Sequence, residues 1–194
     1  MSVEALNSIQ LMHIMVELDS EPTASEIEKA INGLANGKAP GNDAIPSEVI
    51  KYGIAVLLPH LRELLFLCWR ESEVPQDMRD AKIVTVFKNK CDRSECNNCR
   101  GISLLSVVGK VFARVALLRL HILVDCIDPE SQCGFRSGRS TVDRIFSVRQ
   151  LQDICREQQQ PSYLAFIDLT KAFDVVNRTE LFKLLEKIWC HLNF

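Results

Sequence analysis

YLAFIDLTKAFD, residues 163–174, is an apolar run that ends in an acidic residue and a turn. The run predicts a buried strand over Tyr163–Leu169 with Asp168 at its end. A carboxylate in that place can bind a hard cation such as Mg²⁺ while a rigid strand holds it still. Aspartate is equally common at strand ends as a simple turn or cap residue. The strand alone therefore leaves both a functional and a purely structural interpretation of Asp168 open.

The segments around this strand predict an α+β protein in which helices are the majority. Ala81–Lys88 is rich in β-branched residues and predicts a second buried strand, followed by a polar loop over 89–99. Apolar spacing and end signals predict seven helices. The second begins at Thr23 or Ser25, has a capping box at 25–28 and ends at Gly37. The others are 2–19, Pro46–Tyr52, Pro59–Glu71, Ser106–Val124, Ser140–Glu157 and Thr179–Trp189. We expect Ser106–Val124 to be well buried, and one side of Ser140–Glu157 to face inward through Val142, Ile145, either Val148 or Arg149, and Ile154.

The composition restricts the setting of the chain. Its 194 residues carry a net charge of -2, and no signal peptide or membrane-spanning apolar run is visible. We therefore expect no membrane contact and a cytoplasmic or nuclear location in which the 8 cysteines stay reduced. A self-standing nucleic-acid binder is usually basic, so nucleic-acid contact would need a local basic surface or a larger binder.

Five sequence blocks, in order, resemble those of reverse transcriptases from non-LTR (LINE-type) retrotransposons. The resemblance implies a partial polymerase right-hand fold. It implies an N-terminal helical extension over 1–22, a fingers-like region with the palm-entry helices over 23–160, and an incomplete palm over 161–194. It further implies an RNA-directed DNA polymerase that uses two-metal nucleotidyl transfer. The blocks are GKAPGNDAIP (37–46), VTVFKNKCD (84–92), RGISLL (100–105), QCGFRSGRST (132–141) and FIDLTKAFDVVNR (166–178).

The resemblance also assigns roles to individual residues. Asp168 would be the first carboxylate on Mg²⁺, with the Leu169 carbonyl oxygen as a further ligand. Phe173 would lie beneath the incoming sugar and favour deoxynucleotides. Lys88 and Arg100 would bind the triphosphate, where cations offset the charge of the leaving group. Without the resemblance, Phe173 would be interpreted as a core aromatic and the two cations as solvated surface charges.

The remaining assignments concern nucleic acid. Lys38 would contact the nucleic-acid backbone, and Arg136 and Arg139 would lie near the template or the nucleotide. The partners implied are an RNA template, a DNA primer and deoxynucleotide triphosphates. Two positions depart from the family pattern, Cys91 where glycine is typical and Cys99 where an aromatic residue is usual, and they suggest relaxed constraint.

The sequence of 194 residues contains no Asp-Asp pair, although polymerases of this type need two further carboxylates. We therefore expect an inactive fragment with exposed apolar surface that self-associates. A domesticated, non-catalytic binding or interaction module and a non-functional retroelement relic remain the alternatives. The spacing of Cys91, Cys96 and Cys99 in one loop also allows a zinc site. A structural zinc site needs four ligands, and no fourth ligand is adjacent in the sequence, so this interpretation is left open.

Overall fold

A computed structural model of the chain describes residues 20–89, 92, 94–127, 131–169 and 171–188. The chain divides into two compact units. Unit 1 comprises the described residues within 1–120 and 184–194, and unit 2 comprises His121–Lys183. No helix among the described residues is long and apolar enough to span a membrane. The predicted helix over 2–19 lies outside the described residues.

Unit 1 begins with four helices. They are α1 (Ala24–Asn32), α2 (Ser47–Tyr52), α3 (Ile54–Glu71) and the single turn α4 (Gln76–Arg79). The capping box of α1 is formed by Thr23 and Glu26, two residues earlier than the predicted box at 25–28. The Thr23 hydroxyl accepts a hydrogen bond from the Glu26 amide, and the Thr23 amide donates to the Glu26 carboxylate. α1 ends at Asn32 with a cap at Gly33, short of the predicted stop at Gly37. α3 begins five residues before Pro59, which therefore lies inside the helix and not in its first turn.

A hairpin follows the helices. Strands β1 (Ala81–Phe87) and β2 (Cys99–Leu105) pair in antiparallel register, with Ala81 opposite Leu105 and Phe87 opposite Cys99. A 3-10 turn over Cys96–Asn98 lies in the connection. The predicted strand is present, but its predicted burial is wrong, since Ile83 is 69% exposed. A two-stranded ribbon buries its side chains only where another layer covers it, and most of this one is uncovered.

The core of unit 1 lies between α1, α3 and the start of α5 (Val107–Ile127). Val107, Val111 and Val115 repeat every four residues and form one fully buried stripe of α5. Each buried side chain of this size contributes about 1.5–3 kcal/mol to folding. The predicted burial of the helix holds for this stripe and for Arg119 and Leu123, but Leu117 and Ile122 are 51% and 54% exposed.

Unit 2 contains the rest of α5, α6 (Thr141–Glu157) and the beginning of α7 (Arg178–Ile188). α6 has no buried residue. The prediction that its apolar side chains face inward is therefore wrong: Val148 is half-buried, and Val142, Ile145 and Ile154 are exposed. These residues point around the whole circumference of the helix at 100° per residue, so they define no single inner face.

The predicted strand Tyr163–Leu169 is not formed. The segment is neither helix nor strand, and the only sheet among the described residues is the β1–β2 pair. A strand exists through the hydrogen bonds it exchanges with a neighbour, and no described segment supplies them here. Its apolar side chains are consequently exposed, with Phe166 at 90% and Ile167 at 84%.

Candidate nucleotide and nucleic-acid site

Lys88 and Arg100 lie on the same face of the hairpin. Arg100 is opposite Val86, and Lys88 continues the ladder by donating its amide to the Asn98 carbonyl at 2.8 Å. Side chains of one face alternate along each strand, so Lys88 and Arg100 are diagonal neighbours, which usually lie about 7–8 Å apart. The strand register thus brings Lys88 and Arg100, which are 12 positions apart in the sequence, together as a pair of cations.

The surroundings of this pair are open and partly apolar. Val86 and Ile102, on the same face, are each 46% exposed. Lys82 also lies on that face, opposite Leu104 at the far end of the hairpin. An ammonium and a planar guanidinium beside exposed aliphatic surface can bind a polyanion such as a triphosphate, because arginine binds phosphate oxygens in pairs.

Asp168 and Leu169 lie in the irregular segment of unit 2, and both are exposed. The chain turns immediately afterwards, where the Asp174 amide donates to the Lys171 carbonyl at 2.9 Å. Lys171 has a positive φ of 53°, in the left-handed region that tight turns use. Strand and turn were predicted together; the turn is present although the strand is not.

This turn brings two of the sequence blocks into contact. The ring of Phe173 meets that of Phe135 edge to face, with 6.1 Å between centroids. The two rings are 80% and 89% exposed, so Phe173 is not a core aromatic in unit 2. Such ring pairs stabilise by about 0.5–1.5 kcal/mol beyond the area they bury.

Arg136 and Arg139 differ in their surroundings. The Arg136 side chain is only 16% exposed, and its Nε lies 3.9 Å from Oδ1 of Asp125. Arg139 is exposed, just before the N-terminus of α6, where Ser140 donates its amide and its hydroxyl to Asp143. These Ser140 hydrogen bonds lower the pKa of Asp143, and the positive charge of Arg139 adds to the effect. Arg139 is thus the more accessible cation of the two.

Lys38 is exposed in the loop over 37–46, and other residues of this loop form hydrogen bonds with α5. The Asp43 carboxylate accepts the Val107 amide at 2.8 Å and so caps that helix. Lys110 of α5 donates to the Ala39 carbonyl at 3.1 Å. Gly41 is buried, and a Cβ there would lie 2.4 Å from the Leu105 carbonyl oxygen. Sequence reasoning missed these contacts because they join residues 64 and more positions apart.

A buried arginine was also missed. Arg119 is 5% exposed, forms a salt bridge with Glu26 at 2.8 Å, and lies 4.8 Å above the ring of Trp69. It also donates to the carbonyls of Ser20 and Glu21. The hydrogen bond from Arg119, with smaller contributions from Thr23 and from the charge of Arg119, lowers the pKa of Glu26 from 4.5 to about 2, against the opposing effect of burial. A charged residue at an apolar position of a buried helix was the available signal.

Metal ligands are sparse. Within the described ranges no three His, Cys, Asp or Glu side chains are close enough to share an ion. Asp168 and the Leu169 carbonyl offer three oxygen ligands at most, fewer than two metal ions need, so the described residues do not by themselves fit a two-metal centre. Cys91, one ligand of the hypothetical zinc site, lies outside the described residues.

Comparison with known proteins decides the family. The profile of the family "Reverse transcriptase (RNA-dependent DNA polymerase)" matches residues 87–193, more than half of the chain. The chain belongs to the reverse transcriptase family. The match includes the candidate residues Lys88, Arg100, Arg136, Arg139 and Asp168, as well as Leu169 and Phe173, but not Lys38.

Individual relatives in this family are encoded by transposons. The chain is 29% identical over 165 residues to the RNA-directed DNA polymerase from mobile element jockey of Drosophila melanogaster, covering 81% of this chain and 17% of the relative. It is 28% identical over 170 residues to the transposon TX1 149 kDa protein of Xenopus laevis, covering 87% of this chain and 13% of the relative. The resemblance to non-LTR retrotransposon reverse transcriptases is thereby confirmed. The chain spans less than a fifth of the length of these two relatives.

Proposed function

We propose that the chain forms the fingers and the beginning of the palm of an RNA-directed DNA polymerase. In this assignment residues 1–22 are an extension, 23–160 the fingers with the palm-entry helices, and 161–194 the start of the palm. The observation that carries the proposal is the shared hairpin face of Lys88 and Arg100, within the region that matches the family. Cations are required there because negative charge accumulates on the leaving pyrophosphate.

The other site residues complete this proposal. Asp168 and the Leu169 carbonyl oxygen would be ligands of Mg²⁺, a cation that offsets phosphate charge in two-metal nucleotidyl transfer. Phe173 lies under the sugar of the incoming deoxynucleotide. Lys38, Arg136 and Arg139 contact the RNA template or the DNA primer. Since Arg136 is held by Asp125 at 3.9 Å, it must exchange that partner to reach a phosphate.

The setting follows from the same proposal. The protein works in the cytoplasm or the nucleus on nucleic acid. Residues 1–194 by themselves are not expected to extend a primer, because the described residues supply too few carboxylates for two metal ions. No observation on the described residues favours the binding-module or relic alternatives.

A binding experiment tests the hairpin assignment. Lys88→Gln and Arg100→Gln should weaken binding of a labelled RNA–DNA duplex or of dTTP. For the duplex, each lost phosphate contact should reduce the slope of log K against log salt by about one. Lys82→Gln is the matched control, since it removes the same charge from the same face at the far end of the hairpin.

The outcomes separate clearly. Arg100→Lys should bind less tightly than the parent chain, because the charge remains but the paired hydrogen bonds of a guanidinium are lost. Equal losses for Lys82→Gln and Lys88→Gln would mean a diffuse basic surface and would overturn the assignment. So would unchanged binding of dTTP by both Lys88→Gln and Arg100→Gln.

A further inference from the structure

Unit 1 contains a second concave site, which we call the acidic pocket. It has a volume of about 510 Å³ and lies between the 42–45 loop, α3, the α4 segment and the start of α5. Its apolar lining comes from Ile45, Leu64, Pro75, Met78 and Val108. None of the candidate polymerase residues lines it, and its size is within the range of pockets that bind small ligands or single peptide side chains.

The walls of the acidic pocket are fixed by the backbone. A Cβ on Gly109 would lie 2.6 Å from the Met78 carbonyl oxygen, so α5 and the α4 segment touch main chain to main chain. On the other side, the Asp43 carboxylate accepts the Val107 amide at 2.8 Å and fixes the loop to α5. The pocket is therefore preformed, and a ligand need not spend binding energy on ordering it.

Its charge is of one sign. Three of the ten lining residues are aspartates, at 43, 77 and 80, and none is lysine or arginine. Asp43 caps α5, and Asp80 accepts a hydrogen bond from the Gln76 amide group at 2.6 Å. Asp77 is exposed and forms no hydrogen bond or ion pair with any described residue. An open carboxylate thus stands beside an apolar floor.

We propose that the acidic pocket binds a peptide segment in which an apolar side chain is flanked by lysine or arginine. The apolar side chain would displace water from the floor formed by Ile45, Met78 and Val108. The cation beside it would meet Asp77 at the rim, where opposite charges give specificity and a faster encounter. Nucleic acid should not bind in the pocket, because its phosphates would face three carboxylates and no lysine or arginine among the lining residues.

Two synthetic peptides test this inference on the 194-residue chain. One is an acetylated, amidated hexapeptide in which leucines alternate with lysines, and the other has glutamate in place of lysine. At low salt the lysine peptide should shift the methyl NMR signals of Ile45, Met78 and Val108, and the glutamate peptide should not. A 20-nucleotide RNA should leave these three signals unchanged, even if it binds at Lys88 and Arg100.

Two variants isolate the charge. Asp77→Asn keeps the shape of an exposed side chain and should weaken the lysine peptide roughly two- to five-fold at low salt, the usual range for one surface ion pair. Glu73→Gln removes an equal charge from an exposed residue outside the lining and should change the affinity much less. Thermal unfolding of both variants checks that the fold is retained.

Four results would overturn the proposal, three from the peptide and RNA titrations and one from a small amine. The first three are the absence of methyl shifts with millimolar lysine peptide, equal shifts with the glutamate peptide, and RNA-induced shifts of the same three methyls. Butylamine alone reproducing the full effect would also reject a peptide ligand. None of these results bears on the hairpin, so the failure of this inference and the failure of the polymerase assignment are distinguishable.

Discussion

At the scale of single residues, the Glu26–Arg119 salt bridge is the contact whose loss should be most easily measured. The pKa of Glu26 is lowered from 4.5 to about 2, chiefly by the hydrogen bond from Arg119. A lowered carboxylate pKa stabilises the folded state above the unfolded pKa, and this stability is lost as pH falls towards the folded pKa. We therefore predict that unit 1 loses on the order of 1–3 kcal/mol between about pH 5 and pH 2. Urea unfolding at several pH values measures this, and Glu26→Gln should show a smaller loss over the same window. An identical pH dependence for Glu26→Gln would contradict the prediction.

Arg119 should also tolerate no conservative exchange. Its guanidinium forms a salt bridge with Glu26, donates hydrogen bonds to the Ser20 and Glu21 carbonyls, and packs over the ring of Trp69. Lysine keeps the charge but cannot donate in several fixed directions from one plane. We predict that Arg119→Lys lowers the free energy of unfolding by about 2–4 kcal/mol, near the cost of breaking a buried ion pair. Arg70→Lys, at a side chain that is 58% exposed, is the control and should be close to neutral. Similar unfolding midpoints for both variants would show that Arg119 acts only through its charge.

At the scale of elements, the loop over 37–46 is joined to the junction of β2 and α5 by backbone contact at Gly41. A Cβ there would meet the Leu105 carbonyl carbon and oxygen and the Ser106 nitrogen within 2.6 Å. Backbone atoms cannot move aside as a flexible side chain can, so Gly41→Ala should cost about 1–3 kcal/mol. Gly134→Ala is the matched control, since the nearest atom to its Cβ, the Gln132 side-chain nitrogen, is 3.6 Å away. Chemical unfolding measures both variants, and an unchanged stability of Gly41→Ala would mean that the loop moves freely from α5.

Sequence reasoning succeeded where an element is specified locally. α2, α5, α6 and β1 lie within a few residues of their predicted positions, because periodicity and end signals are local. The strand over 163–169 failed for the opposite reason, since an apolar run becomes a strand only beside a partner. The candidate site divides in the same way: the register makes neighbours of Lys88 and Arg100, whereas the role of Asp168 as a ligand of Mg²⁺ stays a prediction. Asp43 acts across 64 positions and left no local pattern. Arg119 left one local signal, a charged residue at an apolar position of its helix, but its partners are far away in the sequence.

At the scale of the whole molecule, the exposed apolar surface of unit 2 should govern behaviour in solution. The expected exposure is found, with Tyr163 at 92% and Phe166 at 90%. Large exposed apolar patches promote association and bind hydrophobic dyes. We predict that the 194-residue chain self-associates and binds such a dye, and that Tyr163→Ser with Phe166→Ser together reduce both effects. Tyr52→Ser is the control, because Tyr52 is 84% exposed in unit 1, outside this surface. Sedimentation and dye fluorescence decide, and a dye-free monomer of the parent chain would contradict the prediction.

The large sequence separation between Arg119 and its partners has a consequence for folding during synthesis. Glu26 and Arg119 are 93 positions apart, and Asp43 and Val107 are 64 apart. At a translation rate of about 5–20 residues per second, Glu26 leaves the peptidyl-transferase centre roughly 5–20 s before its partner is even synthesised. During that interval α1 and α3 emerge without the helix that covers them. Nascent chains of this protein should therefore recruit chaperones until α5 has cleared the exit tunnel, and slower codons placed before position 107 would lengthen that dependence.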